Sequence, residues 1–426
     1  MVKLYNVINA NAVTLRFHPL LPRMGYDMIH SLLDTDFYKL TMMQVVLHQY
    51  ASAWVRYKFK WRNWDEMHFA VPLQDFKSKL DAEIDRLCDL RFTEKEMSYL
   101  ASIHFFKPDF IEYLRLFQLN RSYINIGIEA GQLKINIEGP WLNTILYEIP
   151  ILAIISELYS SSHGVDDDIW MQDGRQRLKD KVRFLNKAKI ADKRFKFAEF
   201  GTRRRASYSW HEEVLKYLID NCNQNLVGSS NVHFAMKLGI KPIGTMAHEF
   251  FQAHQQLGPR LVDSQKVALQ CWADEYRGEL GIALSDTMGF DKFLKDFDRF
   301  FSLLFNGCRQ DSGDPIEWTE KLIAHYKDIR IDPKTKSAVY SDGLTLESAV
   351  DIFTRFHDQI QTSFGIGTNL TNDCGFVAPQ VVIKMVECNH KPVAKISDSE
   401  DKGMCENPEF LDYLNYVIRE DINSEN

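Results

Sequence analysis

The feature that most constrains the fold of this chain is an alternation of short apolar runs and amphipathic helical segments that begins near residue 195. Each run ends in a polar or glycine-containing turn, and the segment after it has apolar residues at helical spacing. Strands that alternate with helices pair in parallel, because each helix returns the chain to the edge of the sheet where the previous strand began. Seven runs in roughly 175 residues fall short of the ~250 residues of a full eight-fold barrel. We therefore expect an α/β fold centred on an irregular (β/α) barrel of about seven strands, formed by residues 195–200, 226–227, 242–244, 281–284, 307–309, 338–340 and 362–364.

The segments on either side of this alternation predict a second, antiparallel layer. Residues 55–61 alternate apolar with basic side chains, which is the period of a strand with one apolar face. Residues 124–137 contain two apolar alternations across a short polar turn, as in a β-hairpin, and residues 381–396 repeat that pattern. The sequence predicts an α+β N-terminal sandwich domain to which the C-terminal tail returns. The predicted divisions are an N-terminal extension of unknown role (1–27), the N-terminal domain (28–165), the catalytic barrel (166–370) and the C-terminal segment (371–426).

Composition argues against several classes of function. Lys and Arg number 51 and Asp and Glu number 58, so the net charge is −7, whereas nucleic-acid-binding proteins usually carry a basic excess. The longest apolar stretch near the middle of the chain, residues 149–155, is far shorter than the ~20 residues of a membrane-spanning helix. The 7 cysteines are odd in number and form no CxxC pair, and residues 1–27 lack the apolar run of a secretory signal. We expect a cytoplasmic enzyme that binds neither nucleic acid nor membrane.

Charged side chains and glycines follow the predicted strands at their carboxyl ends, where active sites form in parallel barrels. Arginine makes bidentate contacts to phosphate, and glycine lets backbone N–H groups approach it. Carboxylates hold Mg²⁺ or face a cationic transition state. The ligand class that these residues fit is a polyanionic phosphate ester. They lie in segments 199–205, 228–231, 244–249, 285–286, 309–314, 341–343 and 365–369.

Each of these features also has a purely structural interpretation. A triple arginine such as 203–205 commonly begins a solvated helix, Phe200 can be a core aromatic ring, and His248 can be a structural histidine. Turns of the Asp-Ser-Gly or Ser-Asp-Gly type are common in loops. The functional interpretation is favoured because all of them occur at predicted strand ends.

Several of these segments belong to longer strings that occur in order along residues 29–405. The strings are SLLDTDFYKL (31–40), FFKPD (105–109), EGPW (138–141), EFGTRRR (199–205), GTMAHE (244–249), DSGDP (311–315) and FGIGT (364–368). Together they closely resemble the nicotinate phosphoribosyltransferase family. The resemblance implies synthesis of nicotinate mononucleotide and pyrophosphate from nicotinate and phosphoribosyl pyrophosphate (PRPP), coupled to ATP hydrolysis, as the first step of NAD salvage from nicotinate. It also implies a homodimer whose active sites are shared between subunits.

The resemblance also implies roles for individual residues. Phe200 would stack on the pyridine ring of nicotinate, with Tyr38 of the other subunit on the opposite face. Arg203 and Arg309 would contact nicotinate or the PRPP phosphates, and Arg62 would face the pyrophosphate or the ATP phosphates. The remaining phosphate-binding and PRPP-binding positions would be Asp342, Gly343, Gly367 and Thr368.

His248 matches the family histidine that is phosphorylated by ATP. A neutral imidazole can attack the γ-phosphoryl group if Mg²⁺ and nearby cations spread the charge. Glu249 or Asp286 could orient the ring, and the sequence leaves both open. Asp311 would lie near the ribose and bind Mg²⁺. The cofactors implied are therefore ATP and Mg²⁺, with PRPP as co-substrate.

Ser230 bears on the choice between nicotinate and nicotinamide. Related nicotinamide enzymes place an aspartate at the corresponding point. A carboxylate there would repel the carboxylate of nicotinate by about 1 to 4 kcal/mol at about 4 Å. Serine avoids that repulsion, which favours the acid over the amide. The alternative functions are a nicotinamide- or quinolinate-specific phosphoribosyltransferase and, more remotely, a catalytically silent nucleotide-binding scaffold.

Overall fold

The structure, a computed structural model, describes residues 28–163, 167–187, 194–399 and 403–424. The predicted N-terminal extension, 1–27, and the predicted domain boundary between residues 165 and 166 lie outside the described residues.

The described chain contains helices in both halves and strands in two separate sheets. The helices are α1 (Phe37–Gln49), α2 (Leu73–Asp89), α3 (Glu94–Ala101), α4 (Pro108–Leu116), α5 (Trp141–Thr144), α6 (Glu148–Ser162), α7 (Asp167–Lys187), α8 (Tyr208–Cys222), α9 (Val232–Leu238), α10 (His248–Leu257), α11 (Ser264–Tyr276), α12 (Phe290–Asp296), α13 (Arg299–Leu304), α14 (Pro315–Asp328), α15 (Leu346–Phe356), α16 (Thr368–Thr371) and α17 (Pro408–Asn423). The strands are β1 (Trp54–Trp61), β2 (Ile124–Glu129), β3 (Gln132–Pro140), β4 (Phe197–Glu199), β5 (Leu226–Ser229), β6 (Ile282–Leu284), β7 (Gly307–Gln310), β8 (Ser337–Tyr340), β9 (Gln361–Ile366), β10 (Val381–Cys388) and β11 (Lys391–Pro392).

The barrel half contains a parallel sheet with the strand order β5-β4-β9-β8-β7-β6. The third predicted run is present as a single parallel bridge from Pro242 to Ser229, beside β5. Between this third run and β6, where the barrel would close, the Thr245 hydroxyl donates a 2.8 Å hydrogen bond to the carbonyl of Ile282. All seven predicted runs therefore take part, and the expected irregular α/β barrel is confirmed.

The second sheet is antiparallel, with the order β11-β10-β1-β3-β2. Its two hairpins turn at Ala130-Gly131 and at Asn389-His390, where both residues of each turn have positive φ. Such a pair of positive φ values matches the twist of the flanking strands. Strand β10 pairs with β1 along its length, so the predicted return of the C-terminal tail to the N-terminal layer is confirmed.

The most apolar helical stretch lies in the core between the two layers. Residues Trp141–Ser162 are long and apolar enough to cross a membrane by length and composition alone, with a mean hydropathy of 1.3. However, 89% of their apolar window is buried inside the protein. This pattern is typical of the core helix of a globular domain.

Candidate active site

A cavity of about 600 Å³ opens at the carboxyl ends of the parallel strands, beneath β1 and β10 of the antiparallel sheet. This is the location at which parallel barrels bind their ligands. The structure brings together almost all of the residues that the sequence singled out. Those that line the cavity are Tyr38, Arg62, Phe200, Arg203, Ser230, His248, Glu249, Arg309, Asp311, Asp342, Gly343, Gly367 and Thr368.

The segment before α1 is fixed to the barrel by buried polar contacts. Asp34 receives two hydrogen bonds from the guanidinium of Arg205, at 2.7 and 2.9 Å, and a third from the amide of Asn231 at 2.7 Å. Both members of the Asp34–Arg205 pair are fully buried. The Phe37 N–H also donates to the carbonyl of Ser230, at 2.7 Å. These contacts hold the N-terminal end of α1 against the mouth of the barrel.

Tyr38 and Phe200 line the same cavity of a single chain. The expectation that Tyr38 comes from another subunit therefore needs correction, because the tyrosine that lines this cavity belongs to the same chain as Phe200. It is held there by the buried contacts of Asp34 and Phe37 described above. Phe200 is held against the backbone of β9, since a Cβ added to Gly365 would lie 2.3 Å from a ring carbon of Phe200. Glycine at this position is what lets the ring occupy its place.

His248 is oriented by Asp286 rather than by its sequence neighbour Glu249. Its Nε2 lies 2.9 Å from Oδ1 of Asp286, which stands behind the histidine and does not line the cavity. The other oxygen of Asp286 accepts from Ser312 at 2.6 Å and lies 2.9 Å from Nζ of Lys395. Burial, together with the charge of Lys395, lowers the pKa of His248 to about 4. The imidazole is therefore neutral near pH 7, as a nucleophile requires.

Glu249 has a different role, in a buried ion network that the sequence did not reveal. Nζ of Lys39 lies 2.7 Å from a carboxylate oxygen of Glu249 and 2.7 Å from one of Glu148. The hydroxyl of Tyr57 donates to the second oxygen of Glu249 at 2.8 Å. Burial raises the pKa of Glu249, whereas Lys39 overcomes the effect of burial on Glu148 and lowers the pKa of that group. Two cavity-lining carboxylates thus share one lysine whose side chain is fully buried.

Cations concentrate on the side of the cavity that faces the antiparallel sheet. Arg62, Arg203 and Arg204 all line it, and burial together with the charges of the other two lowers the pKa of Arg204 to about 9. From β10, Lys384 also reaches the cavity, and burial lowers its pKa to about 7. A lysine in the middle of the apolar run 381–386 was the signal in the sequence that could have identified Lys384. An array of this kind suits an anion with several negative charges.

Asp311 is the carboxylate best placed to hold a divalent cation. Ligand atoms of His248, Asp286 and Asp311 lie within 4.8 Å of one another. Both oxygens of Asp286 are already engaged by protein donors, whereas Asp311 lines the cavity and accepts one hydrogen bond, from the Ser341 hydroxyl at 2.7 Å. Burial raises the pKa of Asp311, but Arg309 and His248 outweigh it, so the group is ionised. A carboxylate that is ionised and open to the cavity fits Mg²⁺, which commonly takes one or two carboxylates together with substrate phosphates.

The two halves of the chain each match a protein-family model. Residues 195–421 match the model of the nicotinate phosphoribosyltransferase (NAPRTase) family, and residues 33–156 match the model of the NAPRTase N-terminal domain.

Individual relatives are similar over nearly the whole chain. The nicotinate phosphoribosyltransferase of Ralstonia pickettii (strain 12J) is 50% identical over 393 residues, which cover 92% of this chain and 99% of the relative. That of Cupriavidus necator is 50% identical over 392 residues, covering 91% and 98%. The crystal structure of nicotinate phosphoribosyltransferase from Vibrio cholerae superposes with a TM-score of 0.86 at 37% identity, covering 93% of this chain and 96% of that one. A putative nicotinate phosphoribosyltransferase from Saccharomyces cerevisiae superposes with a TM-score of 0.83 at 33% identity, covering 93% and 100%.

Proposed function

The chain belongs to the nicotinate phosphoribosyltransferase family, and on that premise we propose that its cavity joins nicotinate to the phosphoribosyl group of PRPP. The products are nicotinate mononucleotide and pyrophosphate, and the reaction is coupled to ATP hydrolysis. The observation that carries the proposal is that one cavity contains the aromatic rings of Phe200 and Tyr38, a group of arginines and a neutral buried histidine.

The chemical step breaks the bond between C1 of the ribose and the pyrophosphate and forms a bond from C1 to the pyridine nitrogen of nicotinate. That nitrogen carries a free electron pair, so no general base is needed. Phe200 and Tyr38 sandwich the ring, and Arg203 and Arg309 offset the negative charges of the substrates. Asp311 faces the cationic sugar that develops as pyrophosphate departs. Catalysis by these residues consists of positioning and charge compensation.

The phosphate groups of PRPP lie along the loops after β8 and β9. Asp342, Gly343, Gly367 and Thr368 are the residues of these loops that line the cavity. Arg62, which also lines the cavity, faces the pyrophosphate or the phosphates of ATP. Mg²⁺ would be held by Asp311, and when bound it would offset charge on the phosphates.

His248 accepts the γ-phosphoryl group of ATP. Its Nε2 is hydrogen-bonded to Asp286, so Nδ1 is the ring nitrogen that has no hydrogen-bond partner within the described residues. The histidine electron pair forms the new N–P bond while the bond to the β-phosphate oxygen breaks, and ADP leaves. Because the pKa of His248 is about 4, we expect the rate of phosphorylation to show no loss from histidine protonation between about pH 7 and about pH 5.

A phosphate-transfer experiment tests this assignment. The intact protein is incubated with ATP carrying ³²P in the γ-position, and label bound to the protein is measured for the wild type, His248→Asn and His254→Asn. His254 is a matched control, since it is also a fully buried histidine of α10 with a lowered pKa but does not line the cavity. We expect label on the wild type and on His254→Asn but not on His248→Asn. Label retained by His248→Asn would remove this histidine from the mechanism.

The assembly and the compartment are also proposals. We propose a homodimer, although Tyr38 and Arg62 reach the cavity from the same chain as Phe200, so that pairing is not required to complete this wall. Light scattering on the purified protein tests the assembly. A reducing cytoplasm is supported by the seven free cysteines, at positions 88, 222, 271, 308, 374, 388 and 405.

A further inference from the structure

Asp36 and Ser230 form a buried hydrogen-bonded pair in the wall of the cavity. Both residues line it, and the hydroxyl of Ser230 donates to Oδ1 of Asp36 at 2.7 Å. Each residue is only 3% exposed. The pair stands beside Tyr38 and Arg203, in the part of the cavity where the pyridine ring is proposed to lie.

This contact changes what Ser230 can offer to a ligand. A serine hydroxyl has one hydrogen to donate, and here that hydrogen is given to Asp36. Toward the cavity, Ser230 therefore presents only lone pairs, and Asp36 presents a carboxyl group. A substrate carboxylate placed against this pair would face an acceptor from each of its two residues, with donors only from neighbours such as Arg203, unless the pair carries an additional proton.

The other groups around Asp36 leave room for that proton. Among the described residues, the charged or titratable groups that act on it most strongly are Arg203 and Glu199, and it also interacts with Tyr38. Burial raises the pKa of Asp36, and Arg203 opposes that effect without cancelling it. The carboxyl therefore takes up a proton more readily than an exposed aspartate would.

We propose, building on the proposed function, that Asp36 determines the selectivity for an acid over an amide by taking up one proton from solvent when nicotinate binds. The protonated carboxyl donates a hydrogen bond to one oxygen of the substrate carboxylate, and the proton returns to solvent when the product leaves. With nicotinamide the roles reverse, because an ionised Asp36 can accept from the amide N–H₂. The preference for the acid therefore falls as the pH rises.

The test uses benzoate and benzamide, which share the shape of nicotinate and nicotinamide but lack the ring nitrogen that reacts. Their competitive inhibition constants against nicotinate are measured from about pH 5 to about pH 9, a range that begins above the ordinary aspartate pKa of about 3.9 and covers raised values. The ratio of the two constants cancels the titration of groups that act equally on both. It does not cancel Lys384, which lines the cavity with a pKa of about 7 and attracts only the anion, so the Asp36→Asn variant is needed to measure that contribution. For the wild type we expect the preference for benzoate to fall about tenfold per pH unit above the pKa of Asp36, as one linked proton requires.

Two variants and one further measurement complete the test. Asp36→Asn should abolish the fall of about tenfold per pH unit and leave only the smaller change that Lys384 causes, whereas Ser230→Ala should keep the full slope, because the carboxyl remains. Calorimetry of benzoate binding to the wild type, in two buffers of different ionisation enthalpy, should detect uptake of close to one proton and needs no variant to fold.

A flat ratio in the wild type, an undiminished slope in Asp36→Asn, or benzoate binding without proton uptake would each overturn this inference while leaving the proposed function intact. An absence of nicotinate turnover at every pH would instead overturn the proposed function, and this inference with it.

Discussion

Replacing Lys39 by methionine removes the ammonium group that lies 2.7 Å from a carboxylate oxygen of both Glu148 and Glu249. The lysine side chain is fully buried, and its two partners lie at 2.7 Å with side chains 9% and 5% exposed. Breaking a buried ion pair by removing one partner costs about 3 to 5 kcal/mol, because the remaining charge is left without compensation. Here two carboxylates are left together, so we expect Lys39→Met to lower the free energy of unfolding by about 3 to 5 kcal/mol near pH 7.

The pH dependence of this loss gives a sharper criterion. In the wild type, Lys39 lowers the pKa of Glu148, which contributes stability above its unfolded pKa that is lost as the pH falls. Without the lysine, burial and mutual repulsion raise the pKa of both glutamates, so the folded state binds more protons than the unfolded chain does. The stability of Lys39→Met relative to the wild type should therefore recover as the pH falls from about 7 to about 5, by up to about 1.4 kcal/mol per pH unit for each extra proton.

Urea unfolding of both proteins, followed by tryptophan fluorescence at several pH values, measures these differences. Lys58→Met is a matched control on strand β1, since Lys58 forms its ion pair with Glu406 at 34% exposure and should contribute no more than about 1 kcal/mol. The double variant Lys39→Met/Glu249→Gln should recover part of the loss, because one buried charge is removed. Equal stability of Lys39→Met and the wild type, or a deficit that grows toward low pH, would refute the reasoning.

Two further substitutions test how the cavity walls are built. Gly365→Ala should raise the KM for nicotinate, because the added Cβ would lie 2.3 Å from a ring carbon of Phe200 and displace the ring. Gly127→Ala is the control and should leave steady-state kinetics unchanged, because its Cβ would meet nothing within 4 Å. Equal KM values for the two variants would contradict the stacking role of Phe200. Ser230→Asp should lower kcat/KM for nicotinate and also lower the thermal unfolding temperature, because the new carboxylate would be buried against Asp36. Kinetics and thermal unfolding of the same preparation check both effects, and unchanged nicotinate kinetics would show that this wall does not face the substrate.

The barrel could be predicted from the sequence because its pattern is local. Each strand is an apolar run followed by a turn, and the residues just after the run fall at one edge of the sheet whatever the details of packing. This rule alone brings residues such as Phe200, Arg309 and Asp342 to the same cavity. Which carboxylate orients His248 could not be predicted in this way, because the contact is not between sequence neighbours. Glu249 is adjacent to His248 in sequence, but its side chain bonds to Lys39 instead.

What the sequence could not show were contacts between the two layers. Lys39 occurs in a helix whose pattern does not distinguish it from a surface lysine, and its partners lie on α6 and α10. The proximity of Asp36 to Ser230 joins residues 194 positions apart. Such pairs depend on how α1 and the residues before it pack against the barrel. The spacing of apolar residues along the chain does not show this packing.

The pairing of β1 with β10 has a consequence for how the protein is made. Arg56 and Glu387, which face each other in this pair, are separated by 331 positions, so the ribosome has released β1 long before β10 is translated. Until then one edge of β1 is left without its hydrogen-bond partner, and an open strand edge is prone to associate with other chains. The cavity wall that carries Lys384 is completed only at this last stage, so nascent chains that stop before residue 381 cannot be active. The open edge of β1 is therefore exposed for as long as the residues between β1 and β10 are being translated.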